Sequence, residues 1–167
     1  MRCLPGMVVT AALVATMPAV AQDIVAVPRD PASIGLHANW AEDADFGLGA
    51  RYDHVLNHIV RGMSPKVNII ITLDYFFPRD PIDSYVEGNV NLSYQFGDMR
   101  RSIGPYFGAG LNIARVEAGA FRNTDLGLNV LGGIRFRSAS RTVPYLEARF
   151  EAGGGEQFVI TGGILLF

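Results

Sequence analysis

The chain has 167 residues, 49% of them hydrophobic, with 14 basic and 16 acidic side chains and a formal charge of −2. That length suits one domain, and the near-neutral balance offers no electrostatic footing for nucleic acid. A single cysteine, Cys3, excludes a disulfide framework.

In chain order, the first element is a secretory leader. After Met1 and Arg2 comes an apolar core, Met7 to Met17, closed by Pro18 and followed by Ala19-Val20-Ala21. One positive charge, a short apolar core and A-x-A describe a signal peptide over residues 1–21. The core is too short to cross a bilayer as a helix. Cys3 lies in the removed piece and lacks the surroundings of a lipoprotein box, so the mature chain, from Gln22, carries no cysteine. Residues 22–32 form a short lead. No later stretch approaches the ~20 apolar residues of a membrane-spanning helix. The longest candidate, "VNIIITLDYFF", is interrupted by Asn68 and Asp74.

From Ser33 onward the period is two. Ile34, Leu36, Ala38 and Trp40 alternate with Gly35, His37 and Asn39; Phe46, Leu48, Ala50 and Tyr52 alternate with Gly47, Gly49, Arg51 and Asp53. Val67, Ile69, Ile71, Leu73 and Tyr75 oppose Asn68, Thr72 and Asp74, and Val86, Val90, Leu92, Tyr94 and Phe96 oppose Glu87, Asn89, Asn91, Ser93 and Gln95. Phe107, Ala109, Leu111 and Ile113 oppose Tyr106, Gly108, Gly110 and Asn112. Leu126, Leu128, Val130, Ile134 and Phe136 oppose Asp125, Asn129, Arg135 and Arg137, and Leu146, Ala148 and Phe150 oppose Tyr145, Glu147, Arg149 and Glu151. The terminal run "FVITGGILLF" is apolar on both faces, so its register stays open. Such alternation signals strands, and no helical period competes with it.

Turn-rich segments separate the eight runs: "AEDAD", "FPRDPID", "VEAGAFRNT" and "AGGGE" at one end, "GDMRRSIG" and "SASRTV" at the other, and a longer "HIVRGMSP" whose course over 54–66 is open. Even spacing predicts an all-β, eight-stranded antiparallel up-and-down meander over residues 33–167.

Two barrels fit this meander. A lipocalin-like secreted carrier puts the apolar face inside around a hydrophobic ligand, while an outer-membrane barrel turns it to lipid and fills a narrow interior with polar groups. Three features favour the membrane barrel. The aromatic residues gather at two levels: Trp40, Phe46, Tyr75, Phe76, Phe77, Tyr85, Phe150 and Phe158 at the outer end, and Tyr94, Phe96, Tyr106, Phe107, Phe136, Tyr145 and Phe167 at the periplasmic end. Only Tyr52 and Phe121 fall outside, so the rings match a double girdle at the headgroup levels. The polar face mixes Arg51, Asp53, Asp74, Glu87, Arg135, Arg137, Glu147, Arg149 and Glu151 with glycines, as a tight interior needing internal counter-ions would. Pairing about "SASRTV" places Arg135 opposite Glu147 as an expected salt bridge. Finally, the chain ends on Phe167 inside a β-prone run, which suits a last strand pairing with the first and a terminal aromatic in the periplasmic girdle.

With its A-V-A leader, eight alternating runs, "YFGAGLNIA", "LGLNVLGGIRF" and a final "GGILLF", the chain resembles the small outer-membrane β-barrels of the OmpA/opacity type. The resemblance spans the whole mature chain and concerns architecture more than any motif. It implies insertion by the β-barrel assembly machinery, which in that family reads the last strand and its C-terminal aromatic. It also implies a location in the bacterial outer membrane, contact with its lipopolysaccharide and phospholipid, and a monomer without a separate peptidoglycan-binding domain.

Chemistry is sparse. Eight strands leave an interior that side chains fill, so no wide pore is expected. A lipid-modifying barrel enzyme needs Ser and His within hydrogen-bond reach near the outer leaflet. His37 points inward with Ser33 as its nearest inward serine; His54 and His58 lie toward the periplasmic side. "HVLNH" has metal-ligand spacing only on a helix, and no Cys or Glu completes the set. "AGGGEQ" and "GLGA" precede no helix and so cradle no phosphate. The expected function is therefore a structural or surface-interaction role without catalytic, cofactor or metal residues. A hydrophobic-ligand carrier is the second reading and a lipid-A-modifying enzyme the third. The short outer connections argue against dedicated receptor-binding loops.

Overall fold

The computed structural model describes residues 31–79, 82–97, 102–137, 140–153 and 157–167. The leader 1–21, nearly all of the lead, the turn 98–101 and parts of "FPRDPID", "SASRTV" and "AGGGE" lie outside the described residues. The alternating runs form eight strands: β1 (Ala32–Ala41), β2 (Asp45–Val55), β3 (Val67–Phe76), β4 (Ser84–Gln95), β5 (Ile103–Ala118), β6 (Phe121–Phe136), β7 (Thr142–Ala152) and β8 (Gln157–Leu166). Each pairs antiparallel with the next, and β8 returns to β1 from Ile34↔Leu166 to Ala41↔Val159. The result is a closed up-and-down barrel without a sheet edge around its body. Its near end holds the start of β1 and Phe167; its far end holds the β1–β2 turn.

Alternation decides which side chains go where. All nine charged residues expected on the inner face, Arg51, Asp53, Asp74, Glu87, Arg135, Arg137, Glu147, Arg149 and Glu151, are buried. Their neighbours Leu36, Leu73, Leu111, Val130, Leu146 and Phe150 are each 47–67% exposed on the outside. In β8 the open register resolves with Phe158, Ile160, Ile164 and Leu166 outward and Gln157, Val159, Thr161 and Leu165 inward.

The structure corrects four expectations. First, the aromatic girdles are thinner than the sequence grouping. Phe76, Tyr85, Tyr106 and Tyr145 are inward and buried. Phe76 must point inward because Tyr75 and Phe77 flank it in a strand and point out; the three tyrosines share the parity of the charged residues, and their hydroxyls bond Glu87, Glu147 and His37. Trp40, Phe46, Tyr75, Phe77, Phe150 and Phe158 remain at the far end, and Tyr94, Phe96, Phe107 and Phe136 at the near end.

Second, Phe167 does not join the periplasmic-end girdle expected of it. It continues the inward parity of Leu165 and packs against Val143, Tyr145 and Leu165, with its N–H donating to Arg141 O at 3.0 Å. Third, "VEAGAFRNT" is not a loop. β5 and β6 run on to Ala118↔Phe121 and turn through Gly119 and Ala120. Gly119 alone there has positive φ, +59°, which suits a tight hairpin with glycine at the first turn position. Because β6 pairs with β7 only from Leu128↔Ala152, this hairpin stands above its neighbour at the far end. Fourth, the β6–β7 register places Arg135 opposite Tyr145 and Gly133 opposite Glu147, so the expected Arg135–Glu147 pair does not form.

Between β2 and β3, the uncertain segment is ordered. A 3-10 turn (Leu56–His58) continues through bonds from Ile59 and Val60 N–H to Leu56 O and from Met63 N–H to Val60 O.

Candidate functional site

The only concentration of chemistry among the described residues is the barrel interior, and it divides into two clusters. In the far half, Arg149 from β7 is the hub. Its Nε donates to Glu151 Oε1 at 2.6 Å, and its Nη2 reaches Glu87 Oε1 at 3.0 Å and Asp74 Oδ2 at 3.4 Å. Three carboxylates thus converge on one guanidinium, and neutral donors serve their remaining lone pairs. Asn39 donates to Asp74 at 2.8 Å, Asn89 to Glu87 at 2.7 Å, the Tyr85 hydroxyl to Glu87 at 2.9 Å and Gln157 to Glu151 at 2.7 Å.

In the near half, Arg51 from β2 donates through Nε to Asp53 Oδ1 at 2.7 Å and through Nη1 to Glu147 Oε2 at 2.8 Å. Arg135 donates to the other Asp53 oxygen at 2.8 Å, and the Tyr106 hydroxyl to Glu147 at 2.7 Å. Two tyrosine rings lie against the cations, Tyr145 with its centroid 4.3 Å from the Arg51 guanidinium carbon and Tyr106 4.6 Å from that of Arg135. Beside them, Tyr106 packs with Ile70 and Leu131 in a small buried apolar cluster. Near the mouth, Ser33, Asp53, Asn68, Gln95, Arg135 and Phe167 help line a pocket of about 160 Å³.

His37 joins the halves. Its Nε2 lies 2.5 Å from Asp74 Oδ1 and its Nδ1 3.0 Å from the Tyr145 hydroxyl. With the ring proton assigned to Nε2, it donates to Asp74 and accepts from Tyr145. Room for the ring comes from glycine: a Cβ on Gly49 would collide with the His37 ring and the Asp74 carboxylate, and one on Gly163 with His37 Cβ.

An Asp–His–Tyr chain has the connectivity of an activated nucleophile. Asp74, His37 and Tyr145 are 0, 5 and 3% exposed, however, so the phenol lies within the packed interior and not at a surface. Ser33 sits at the near-end mouth, and both His37 nitrogens are taken by Asp74 and Tyr145. His54 remains in β2 with Nδ1 2.9 Å from the Tyr52 hydroxyl, while His58 ends the following turn, so the two share no helix face. Among the described residues no group of three or more His, Cys, Asp or Glu side chains could hold a metal ion.

Outside, the apolar band of β5 and β6 stops at Ile113 and Leu126. Above it, Arg115 donates to Glu117 at 2.7 Å, with Arg122 3.6 Å from the same oxygen. At the hairpin tip, Phe121 is 82% exposed.

No protein-family model matches the chain, and no curated protein matches it in sequence. Solved structures do match in fold. The N-terminal β-barrel domain of Pseudomonas aeruginosa OprF aligns with a TM-score of 0.63 at 14% identity, covering 80% of this chain and 96% of that one. Neisserial surface protein A aligns at 0.58 and 14% identity, covering 81% and 94%. A de novo designed transmembrane β-barrel aligns at 0.58 and 10%, covering 83% and 97%. At such identities the likeness is one of fold.

Proposed function

We propose that the chain is an integral outer-membrane barrel with a structural or surface-interaction role and no catalysis. The observation that carries this reading is the inverted polarity of the wall. An exposed apolar band around the whole barrel far exceeds the few hundred Å² a soluble monomer tolerates, whereas hydrocarbon accepts it and demands the closed hydrogen-bonding that the eight strands provide. A lipocalin-like carrier needs an apolar cavity, and the interior is instead occupied by interlocked charges.

Those charges also argue against a pore. Arg51, Arg149 and their partners join β2, β3, β4 and β7 across the lumen, so a wide path would require breaking several charge-assisted bonds together. The hairpin crowned by Phe121 is the element best placed for contact beyond the membrane. Extraction tests the location: detergent-dependent solubility with heat-modifiable gel migration supports it, and a freely soluble monomer rejects it. Lipid A mass spectra with and without the protein test the absence of catalysis; a new lipid A species would overturn it.

A further inference from the structure

We infer that the β2–β3 turn is an interfacial anchor that seats in the anionic phospholipid headgroups bordering the near end of the barrel. The inference rests on the membrane-barrel reading and adds a lipid-binding element to it.

Four observations converge on this turn. It is ordered by its own backbone, with N–H groups of Ile59, Val60, Met63 and Val67 all bonded within the segment. An ordered turn holds its side chains in place. Three of those are large and apolar yet exposed: Ile59 at 65%, Val60 at 44% and Met63 at 37%. Water disfavours such a cluster, and no other described part of the chain covers it.

The turn is also continuous with the near-end aromatic belt. Gln95 N–H donates to Lys66 O at 2.9 Å, Val67 pairs with Tyr94, and Phe96 follows at once. The turn therefore joins the wall at the level of that belt, where amphipathic rings meet headgroups.

Charge selects the lipid. Between Asp53 and Asp74 the sequence contains no acidic residue, while Arg61 lies among the apolar side chains, Lys66 follows them, and Lys66 is the only lysine of the chain. Its long stem can lie along apolar surface while the ammonium reaches a phosphate. Apolar side chains combined with cations on one short element are the composition of an interfacial binder, and basic residues near a membrane surface are drawn to anionic lipid. A zwitterionic surface would satisfy the apolar half alone.

The experiment uses the full chain with Cys3→Ala, reconstituted in phosphatidylcholine vesicles with and without phosphatidylglycerol. Nitroxide labels are placed one at a time on the variants Ile59→Cys, Met63→Cys, Leu111→Cys and Phe121→Cys, and collision rates with oxygen and with a water-soluble nickel chelate are compared. Labels at 59 and 63 should show an oxygen-to-nickel ratio several-fold above that at 121 and below that at 111. Phosphatidylglycerol should raise the ratio, and Arg61→Gln with Lys66→Gln should abolish that rise.

If 111 is lipid-exposed while 59 and 63 match 121 in both vesicles, the anchor is wrong and the barrel reading survives. If 111 is itself reached by nickel, the membrane reading fails first. Lipid exposure at 59 without any phosphatidylglycerol effect overturns the choice of anionic lipid. Spin–spin broadening at 59 would identify a second copy as the occupant and likewise overturn the inference.

Discussion

The far and near halves of the interior neutralise buried charge by different means. In the far half three carboxylates share Arg149, and amides and hydroxyls from Asn39, Thr72, Asn89, Tyr85 and Gln157 supply the donors that a second cation would otherwise provide. In the near half Arg51 and Arg135 share Asp53 and Arg51 also meets Glu147, and tyrosine rings cover the faces of the guanidinium groups. The first arrangement depends on one residue; the second has overlapping partners. Stability should therefore be more fragile in the far half.

The comparison is broken most directly at the hub. Arg149→Ala leaves three buried carboxylates without a counter-charge, and removing one partner of a buried pair typically costs about 3–5 kcal/mol. The expected loss is at or above the top of that range, seen as a large fall in the urea midpoint of the barrel in vesicles or as failure to fold. Glu87→Gln added to the variant should recover part of it, since one stranded charge disappears.

Arg51→Ala should cost less, about 3 kcal/mol, because Asp53 keeps Arg135 and Glu147 keeps the Tyr106 hydroxyl. Equal losses for the two arginines would refute the contrast. Gly49→Ala forces a methyl against His37 and Asp74 at the junction, and overpacking of this kind costs about 1–3 kcal/mol. Phe121→Ala, outside both halves and exposed, should move the midpoint by less than about 0.5 kcal/mol.

Much of this was legible in the sequence because a strand allows only two side-chain directions. Once the parity of one residue per run is known, all others follow, which is why eight charged side chains from five strands, and Arg137 just past β6, could be placed indoors together. Pairing across the lumen was not legible in the same way. Arg135 looked like the partner of Glu147 because the two strands are adjacent, yet Glu147 is held by Arg51 from β2, which lies across the barrel from β7. Local alternation carries no information about which opposite walls touch.

The same limit explains the tyrosines. Tyr106 and Tyr145 sit at girdle height, but their hydroxyls serve Glu147 and His37 inside. The far-end hairpin was missed for another reason. Above the apolar band the outward positions turn polar, with Arg115 and Glu117 on β5 and Thr124 and Arg122 on β6, so period-two patterning ends at Ile113 and Leu126 although the backbone pairing continues to Ala118↔Phe121. The sequence then reads as a loop.

The outward face of the wall decides the account. Single cysteines replacing Leu36, Leu73, Leu111 and Leu146 in the Cys3→Ala chain can carry a fluorophore in vesicles containing brominated lipid. Strong quenching by the lipid at all four positions, with little effect from aqueous iodide, is the expected result. Iodide quenching at these leucines, with the brominated lipid silent, would mean that the apolar face never meets hydrocarbon.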